Sequence, residues 1–488
     1  MNPEFSKSFT MKKILLFVAA MIAAIHLHAQ WEPEVRLTDN PDSSITSDPN
    51  ARFIAATDDF VHVVWYDKRD GNMEIYYKRS TDGGKSWGPD TRLTIMPGNS
   101  SFPCIGVSGT NLHVIWQDDR DGNNEIYYKR STDGGLSWET DKRLTNDPGM
   151  SGKPSMSVSG LLVHVVWRDT RDGNYEIYYK RSTDGGLSWE TDKRLTNDNN
   201  YSYYPSIAAS GSYLHVVWND TRDGKLEIYY KGSTDQGITW ETDKRLTNNP
   251  LSSNLPCVAA SGSNVYVVWT GWTGVNSSQI LFMRSQDNGL NWGIEKMITS
   301  DILNSMLPNI HASGPVVNVV WQDYSEMKYY NNYIRSDDEG ENWGTGTALS
   351  VGGMNSQNTS LTVSGSFIHV IWYDDRDGNY EIYYKRNPTG GFPVGHESKE
   401  TDNPDQPYKI YPNPVKDLLS IEGVCPRNSI LRVSLINIFG KIMKQYDDMF
   451  CRNSNNCVLD VSDMQDGIYF LLLDSGSKRL YKKIIIER

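Results

Sequence analysis

Ser131-Thr132-Asp133-Gly134-Gly135-Leu136-Ser137-Trp138 is one of six copies of an SxDxGxxW octapeptide, the others beginning at Ser80, Ser182, Ser233, Ser285 and Ser336. Each copy lies downstream of a segment like Leu112-His113-Val114-Ile115-Trp116. The Trp that ends this segment recurs as Trp65, Trp116, Trp167, Trp218, Trp269, Trp321 and Trp372, at a spacing of 51 residues with one of 52. Trp31 joins the octapeptide residues Trp87, Trp138, Trp189, Trp240, Trp292 and Trp343 in a second series, so only Trp272 of 15 Trp stands outside both. A unit of this length made of short strands and turns cannot bury its apolar faces alone. Seven in tandem predict an all-β, seven-bladed β-propeller with four strands per blade.

The second unit shows how a blade is read. Pro103-Cys104-Ile105-Gly106-Val107 is the inner strand, Leu112 to Trp116 the second, and Glu125-Ile126-Tyr127-Tyr128-Lys129-Arg130 the third. Arg120-Asp121-Gly122-Asn123 predicts a tight type I′ hairpin between the second and third. The outer strand is expected from Trp138 through Arg143-Leu144-Thr145. In the octapeptide, Ser and Asp side chains bond the turn's own N–H groups. The second Gly takes a positive φ, and the Trp inserts its ring between sheets. Asp82, Asp133, Asp184, Asp235, Asp287 and Asp338 are thus structural.

These octapeptides resemble the Asp-boxes of sialidase-like, or BNR-repeat, propellers, over residues 31 to about 387. The first unit, Trp31-Glu32-Pro33-Glu34-Val35-Arg36-Leu37-Thr38, is a fourth strand with no third before it. The last third strand, Glu381 to Arg386, has no fourth after it. Residues 31–38 are therefore expected to close the ring as the outer strand of blade seven, a junction that needs no Asp-box and leaves no free edge.

Both ends carry export features. Met11 to Ala29 has a basic start at Lys12 and Lys13, an apolar run and a small-residue exit, the pattern of a secretory signal peptide cleaved before Gln30. Residues 1–29 are read as extension and signal, 30–387 as propeller, 388–408 as a Pro- and Gly-rich linker, and 409–488 as a small β-sandwich. No other apolar stretch is long enough to span a bilayer. Tyr411-Pro412-Asn413-Pro414, Gly440-Lys441, Gly467-Ile468-Tyr469-Phe470 and the Lys482-Lys483-Ile484 tail resemble the type A C-terminal sorting domain of the Bacteroidota type IX secretion system. That resemblance implies the type IX machinery as a partner. It also implies export across the outer membrane, to an extracellular or surface-attached location.

The net charge of −12 and the lack of a basic stripe exclude nucleic acid as a partner. Cys104 and Cys257 occupy the same slot of non-adjacent blades and read as buried free thiols. Cys451 and Cys457 could close a loop, leaving Cys425 over. No zinc or calcium spacing is present, so no cofactor or metal is expected.

Residues present in every blade hold blades together, whereas a functional site should break the pattern. The WxDxRDGNxE loop recurs around Arg69, Arg120, Arg171, Arg222 and Arg376 and reads as a cross-strand Arg–carboxylate brace. His62, His113, His164, His215 and His369 recur at one strand position and read as packing residues. The sialidase resemblance implies a Tyr nucleophile with a Glu, three Arg on the substrate carboxylate, an Asp acid/base and an Arg-Ile-Pro motif on six blades. This chain has seven repeats and no Arg-Ile-Pro, its nearest segment Arg36-Leu37-Thr38 being itself a repeated element, so no catalytic residue is assigned.

The pattern breaks on the face opposite the Asp-boxes. Blade five has Trp272 in place of the charged loop, blade six has Tyr324, Tyr329 and Tyr330, and the loop leading into blade four has Tyr201, Tyr203 and Tyr204. Aromatic faces beside amides such as Asn199, Asn200 and Asn276 suit a sugar ring or a protein hot spot. The expected function is a secreted or cell-surface propeller that binds a glycan or protein ligand there. The alternatives are an exo-acting, sialidase-type glycoside hydrolase or a structural adhesion protein.

Overall fold

The computed structural model describes residues 31–388, without 49, 275–276, 300–302 and 351–354. It also describes 408–487, without 413–414, 424–429, 438–441, 451–455 and 475–478. The signal-peptide reading, the linker 388–408 apart from its two end residues, Cys425, Cys451 and Asn276 lie outside the described residues. Among the described residues no helix is long and apolar enough to cross a membrane.

Residues 35–387 form the seven expected blades, each an antiparallel four-stranded sheet. Blade two consists of Ser100–Ser108, Asn111–Asp118, Glu125–Ser131 and Lys142–Arg143 in that order. Its outer strand is two residues, shorter than expected. Trp138 leaves the sheet to set its ring edge-on against Tyr77 of blade one at 5.0 Å. Thr145 is diverted as well, its Oγ1 accepting the Ile126 N–H at 2.8 Å. The inner strand is longer than expected and is bulged between Ser101 and Cys104, where Phe102 has φ 54°.

The tight type I′ hairpin expected at Arg120–Asn123 is not formed. The Asp118 carboxylate draws the loop back on itself by accepting the Arg120 N–H at 3.0 Å and its guanidinium at 2.6 Å. Six residues therefore separate Asp118 from Glu125. Blades five and six instead continue their pairing, to Gly274 opposite Ser277 and to Ser325 opposite Lys328, and blade six turns at Glu326 and Met327 with φ 51° and 62°.

The ring closes as the repeat count requires: Val35–Arg36 pairs with Glu381–Asn387, with Val35 opposite Tyr384 and Arg36 opposite Tyr383. Trp31 then meets Tyr333 of blade six at 5.1 Å, as each Asp-box Trp meets an aromatic of the blade before it. The core lies between sheets. Cys104 and Ile115 of blade two, for example, are buried with Met156, Val165 and Trp167 of blade three. Each such side chain contributes about 1.5–3 kcal/mol by leaving water.

In the Asp-box of blade two, Ser131 Oγ donates to Asp133 Oδ1 at 2.7 Å and accepts the Gly135 N–H at 2.9 Å. Asp133 also accepts the Leu136 and Ser137 N–H groups at 2.9 and 3.0 Å. The Ser137 hydroxyl and backbone hold the Asp133 carboxyl well below the usual carboxylate range. The box glycine is obligatory on two counts: Gly186 has φ 85°, and a Cβ there would collide with the Tyr128 hydroxyl of the preceding blade.

The C-terminal domain pairs a three-stranded sheet (Tyr408–Tyr411, Leu418–Gly423, Asn456–Asp460) with a four-stranded one (Ile430–Asn437, Ile442–Phe450, Gly467–Asp474, Arg479–Ile486). Leu419, Ile421 and Leu459 of the first are buried with Val433, Leu435, Leu471 and Ile484 of the second, which is the expected sandwich.

Candidate functional site

In a four-stranded antiparallel blade the first and third turns share one end, and the second turn shares the other with the blade-to-blade loop. The Asp-boxes therefore mark one face, and the loops carrying Arg69, Arg120, Arg171, Arg222 and Arg376 mark the opposite one, called here the hairpin face.

The recurrent charges on that face are scaffold. In blade three the Asp169 carboxylate is buried and accepts Trp167 Nε1 and Ser151 Oγ, each at 2.8 Å. Arg171 bridges it to Asp192 at 2.7 and 2.9 Å while stacking 4.3 Å above Tyr178. Arg69, Arg120 and Arg222 repeat the arrangement, and Arg376 uses Asp374 and Glu34 of the closing strand. The histidines are also internal: His164 Nδ1 is 2.8 Å from Tyr179 OH, and burial pushes its pKa down to about 4.

One column of the repeat does differ from blade to blade. The residue after each second-strand Trp is Tyr66, Gln117, Arg168, Asn219, Thr270, Gln322 or Tyr373. In four blades it ties two blades together by accepting an N–H from the next blade's inner strand. Gln117 takes Lys153 at 3.4 Å, Asn219 takes Leu255 at 2.8 Å, Thr270 takes Leu307 at 3.1 Å and Gln322 takes Asn358 at 3.2 Å. A guanidinium has no acceptor, so Arg168 cannot make this tie. The signal is legible in the sequence as a column that varies between otherwise repeated strands.

Residues 46–48 and 50–52 reach across the centre of this face, with contacts to blades seven, three, four and two. Thr46 Oγ1 donates to the Asn358 carbonyl of blade seven at 3.1 Å. Asp48 pairs with Lys153 of blade three at 2.5 Å, and Asn50 Nδ2 reaches the Pro205 carbonyl of blade four at 2.9 Å. The Asn50 carbonyl accepts Ser155 Oγ at 3.2 Å, and that of Arg52 accepts the Ile105 N–H at 2.7 Å.

Around these residues stand aromatic groups. On the blade three–four side, half-buried Arg168 lies 4.7 Å over Tyr175 with no carboxylate paired to it among the described residues. Tyr175 meets exposed Tyr201 at 6.0 Å, and Tyr203 meets Tyr204 edge-on at 5.5 Å. On the blade one–two side, Tyr66 contacts Phe102 at 5.8 Å, and Lys153 Nζ sits 3.3 Å above the Phe102 ring. On the blade six–seven side, Tyr324 and Tyr329 pair at 4.9 Å, and Tyr373 meets Tyr380 at 5.0 Å. Tyr330 is half-buried opposite Asp323.

Trp272, 40% exposed, ends the lengthened strand Asn264–Gly274 and makes no ring contact with the other candidates among the described residues. Asn200 is used by the scaffold, its carbonyl accepting Asn174 Nδ2. The candidate residues thus divide into two clusters with Trp272 apart, and Tyr66, Phe102, Lys153, Arg168, Tyr175, Tyr373 and Tyr380 were missed.

Burial, with Asp48 nearby, pushes the Tyr66 phenol up to about 12, and burial raises Tyr373 as well. Burial lowers Lys153, against the opposing pull of Asp48. These phenols hold their protons, so they serve as hydrogen-bond donors and stacking faces rather than as activated nucleophiles. Among the described residues no three His, Cys, Asp or Glu side chains converge on a metal position.

Residues 17–253 match the BNR repeat-like domain, and residues 409–487 match the secretion system C-terminal sorting domain. The chain thus carries BNR-like repeats on a seven-bladed propeller, followed by a secretion sorting domain. The sorting domain directs it through the type IX secretion system across the outer membrane, to the cell surface or beyond. In sequence the chain is similar to xyloglucanase Xgh74A of Acetivibrio thermocellus, 26% identical over 203 residues, which is 34% of this chain and 24% of that protein. The match thus spans about a quarter of the relative's length. In structure it is similar to the polysaccharide lyase Uly1 (TM-score 0.52, 9% identity, 74% of this chain and 100% of that one). Trypanosoma rangeli sialidase also aligns (TM-score 0.45, 11% identity, 81% and 85%). At these identities the Uly1 likeness is one of fold alone.

Proposed function

We propose that this exported propeller binds a glycan chain across its hairpin face, over the central segment and its aromatic flanks. The observation that carries the reading is Arg168. Where four other blades place a blade-linking acceptor, blade three places a guanidinium stacked on Tyr175 and framed by Tyr201, Tyr203 and Tyr204. Unpaired guanidinium donors beside flat aromatic faces suit sugar hydroxyls and ring CH groups at once. The names of the similar proteins, a xyloglucanase and a polysaccharide lyase, agree with a carbohydrate ligand.

The test is a glycan array probed with the secreted protein, wild type and variants. Selective binding that falls at least tenfold, about 1.4 kcal/mol, in Arg168→Ala and in Tyr203→Ala supports the reading. Binding that survives both variants overturns the site. A blank array directs the same face to a protein ligand. Trp272→Ala and Tyr329→Ala then report whether the outlying aromatics extend the footprint. The sialidase-type hydrolase is the second reading. Its test is a fluorogenic sialoside, and the raised phenols of Tyr66 and Tyr373 predict no turnover by a phenolate.

A further inference from the structure

On the Asp-box face two recurrent charges, a lysine and a carboxylate, close the seams between blades, and one seam lacks both. The outer-strand lysine of blades two to five donates to two carbonyls of the following blade's Asp-box. Lys142 reaches Gly186 and Leu187 at 3.1 and 2.6 Å, and Lys193 reaches Gly237 and Ile238 at 2.9 and 2.7 Å. Lys244 does the same with Gly289 and Leu290 at 2.8 and 2.9 Å, and Lys296 with Gly340 and Glu341. Beside the lysine, the arginine near the end of the third strand pairs with a carboxylate. Arg130 takes Glu139 at 2.7 Å, Arg181 takes Glu190 at 2.8 Å and Arg386 takes Glu32 at 2.6 Å.

Blade one departs at both positions. Thr91 stands opposite Tyr77 where Lys142 stands opposite Tyr128. Gly88 takes the place of Glu139, each giving its N–H to the arginine carbonyl of its own blade. A threonine is too short to span the seam, so no side chain meets the Gly135 and Leu136 carbonyls among the described residues. Arg79 gives Nη1 to the Gly134 carbonyl at 2.9 Å and has no carboxylate partner among the described residues. The other arginines of its column all keep one, including Arg284 with Glu341 and Arg335 with Asp337. Two further outer strands lack the lysine without repeating the case. Val35 leaves Arg386 held by Glu32, and Thr347 faces a blade that has no Asp-box. The result is an open cleft of about 420 Å³ between blades one and two, lined by Tyr77, Arg79, Trp87, Thr91, Gly135 and Leu136.

The cleft is the cast of an ammonium and a carboxylate. The two carbonyls call for a cationic donor, and Arg79 calls for an anion. A lone amine is repelled by Arg79 and a lone acid leaves the carbonyls unmatched, so the fitting ligand brings both charges. It also brings them close together. Arg79 already holds Gly134, the neighbour of Gly135 in the chain. At the blade five–six seam a single carboxylate, Glu341, bridges Arg284 and Lys296, the latter at 2.6 Å. An α-amino acid carries its ammonium and carboxylate on one carbon. Tyr77 offers its ring to the ammonium as Tyr230 does to Lys244 Nζ at 5.9 Å. Half-buried Trp87 and exposed Leu136 offer apolar surface to an aliphatic side chain. We infer that the blade one–two seam binds a free aliphatic α-amino acid, its ammonium on the Gly135 and Leu136 carbonyls and its carboxylate on Arg79. The site lies on the face opposite the glycan surface and is independent of it.

Titration calorimetry of the full chain with L-leucine is expected to show binding at millimolar concentration. Isoamylamine, which lacks the carboxylate, and isocaproate, which lacks the ammonium, should each bind roughly tenfold more weakly or worse. Gly88→Glu combined with Thr91→Lys rebuilds the blade two seam, fills the cleft with the protein's own charges and should abolish leucine binding. The backbone accommodates the change, because a Cβ at Gly88 would meet only the Arg79 carbonyl, at 3.5 Å. Absence of leucine binding by the wild type overturns the proposal. So does binding that survives the double variant, or an analogue that binds as tightly as leucine. Should the double variant fail to fold, Thr91→Lys alone, at an exposed position, should weaken leucine binding roughly tenfold, and unchanged affinity overturns the site.

Discussion

Blades three and six share strand order and Asp-box chemistry, yet their second turns are built in different ways. In blade three Asp169 gathers Trp167, Ser151 and Arg171, and Arg171 is braced again by Asp192. In blade six Asp323 still takes Trp321 Nε1 at 2.8 Å and Ser305 Oγ at 2.6 Å, but its further partner is Asn332 Nδ2 at 2.8 Å. Without an arginine folding the loop back, Val316–Ser325 and Lys328–Ser336 keep pairing to a two-residue turn. That extension places Tyr324 opposite Tyr329. The arginine is thus a loop-shaping device, and losing it converts a charged loop into an aromatic ribbon.

The largest effect expected of this contrast is on pH dependence. Blade three and its regular siblings bury His62, His113, His164 and His215 near pKa 4, and His369 near 3, each against a Tyr hydroxyl. Blade six uses Asn318, whose Oδ1 accepts Tyr333 OH at 2.7 Å. An imidazole whose folded pKa lies below its ordinary 6.5 takes up a proton on unfolding across that interval. Its contribution is therefore complete above pH 6.5 and lost as pH falls toward 4. The loss per histidine is on the order of 3 kcal/mol by the end of that window. Denaturant unfolding from pH 7 to pH 4.5 should show a steep fall in stability, and His164→Asn should remove about one proton from its slope. An unchanged slope in that variant would break the assignment.

Next in size are the two aspartates. Asp169→Ala strands Trp167, Ser151 and half of the bracing of Arg171, a loss of about 3 to 5 kcal/mol. Asp323→Ala strands the neutral donors Trp321, Ser305 and Asn332 and should cost about 1 to 3 kcal/mol. Equal shifts in urea midpoint for the two variants would show that the arginine adds nothing to the brace.

The architecture could be read from the sequence because repetition is a signal independent of any one residue. Trp31 to Thr38 had to be an outer strand once the third and fourth strands were counted, and the Val35–Tyr384 register follows. The Asp121-Gly122 dipeptide favours a type I′ turn, but the Asp118 carboxylate captures Arg120 and overrides that preference. The central segment is not legible for a related reason: nothing local marks Asp48 or Asn50 as crossing to blades three and four. Arg168 lay in plain view, but its meaning depends on knowing that Gln117 and Asn219 accept N–H groups from the neighbouring blade.

The smallest expected effect concerns the two-residue turn of blade six. Glu326 and Met327 both sit at positive φ, 51° and 62°, where side chains other than Gly and Asn are strained. Both are exposed, so no burial offsets that strain. Replacing the pair by Asn-Gly keeps the geometry and relieves the Cβ conflict, which should raise stability by about 1 kcal/mol. Transplanting the same dipeptide into blade three should gain nothing while Arg171 holds its loop open on Asp169. A rise in melting temperature for blade six with none for blade three would show that the arginine, and not the turn dipeptide, decides which of the two loops a blade builds.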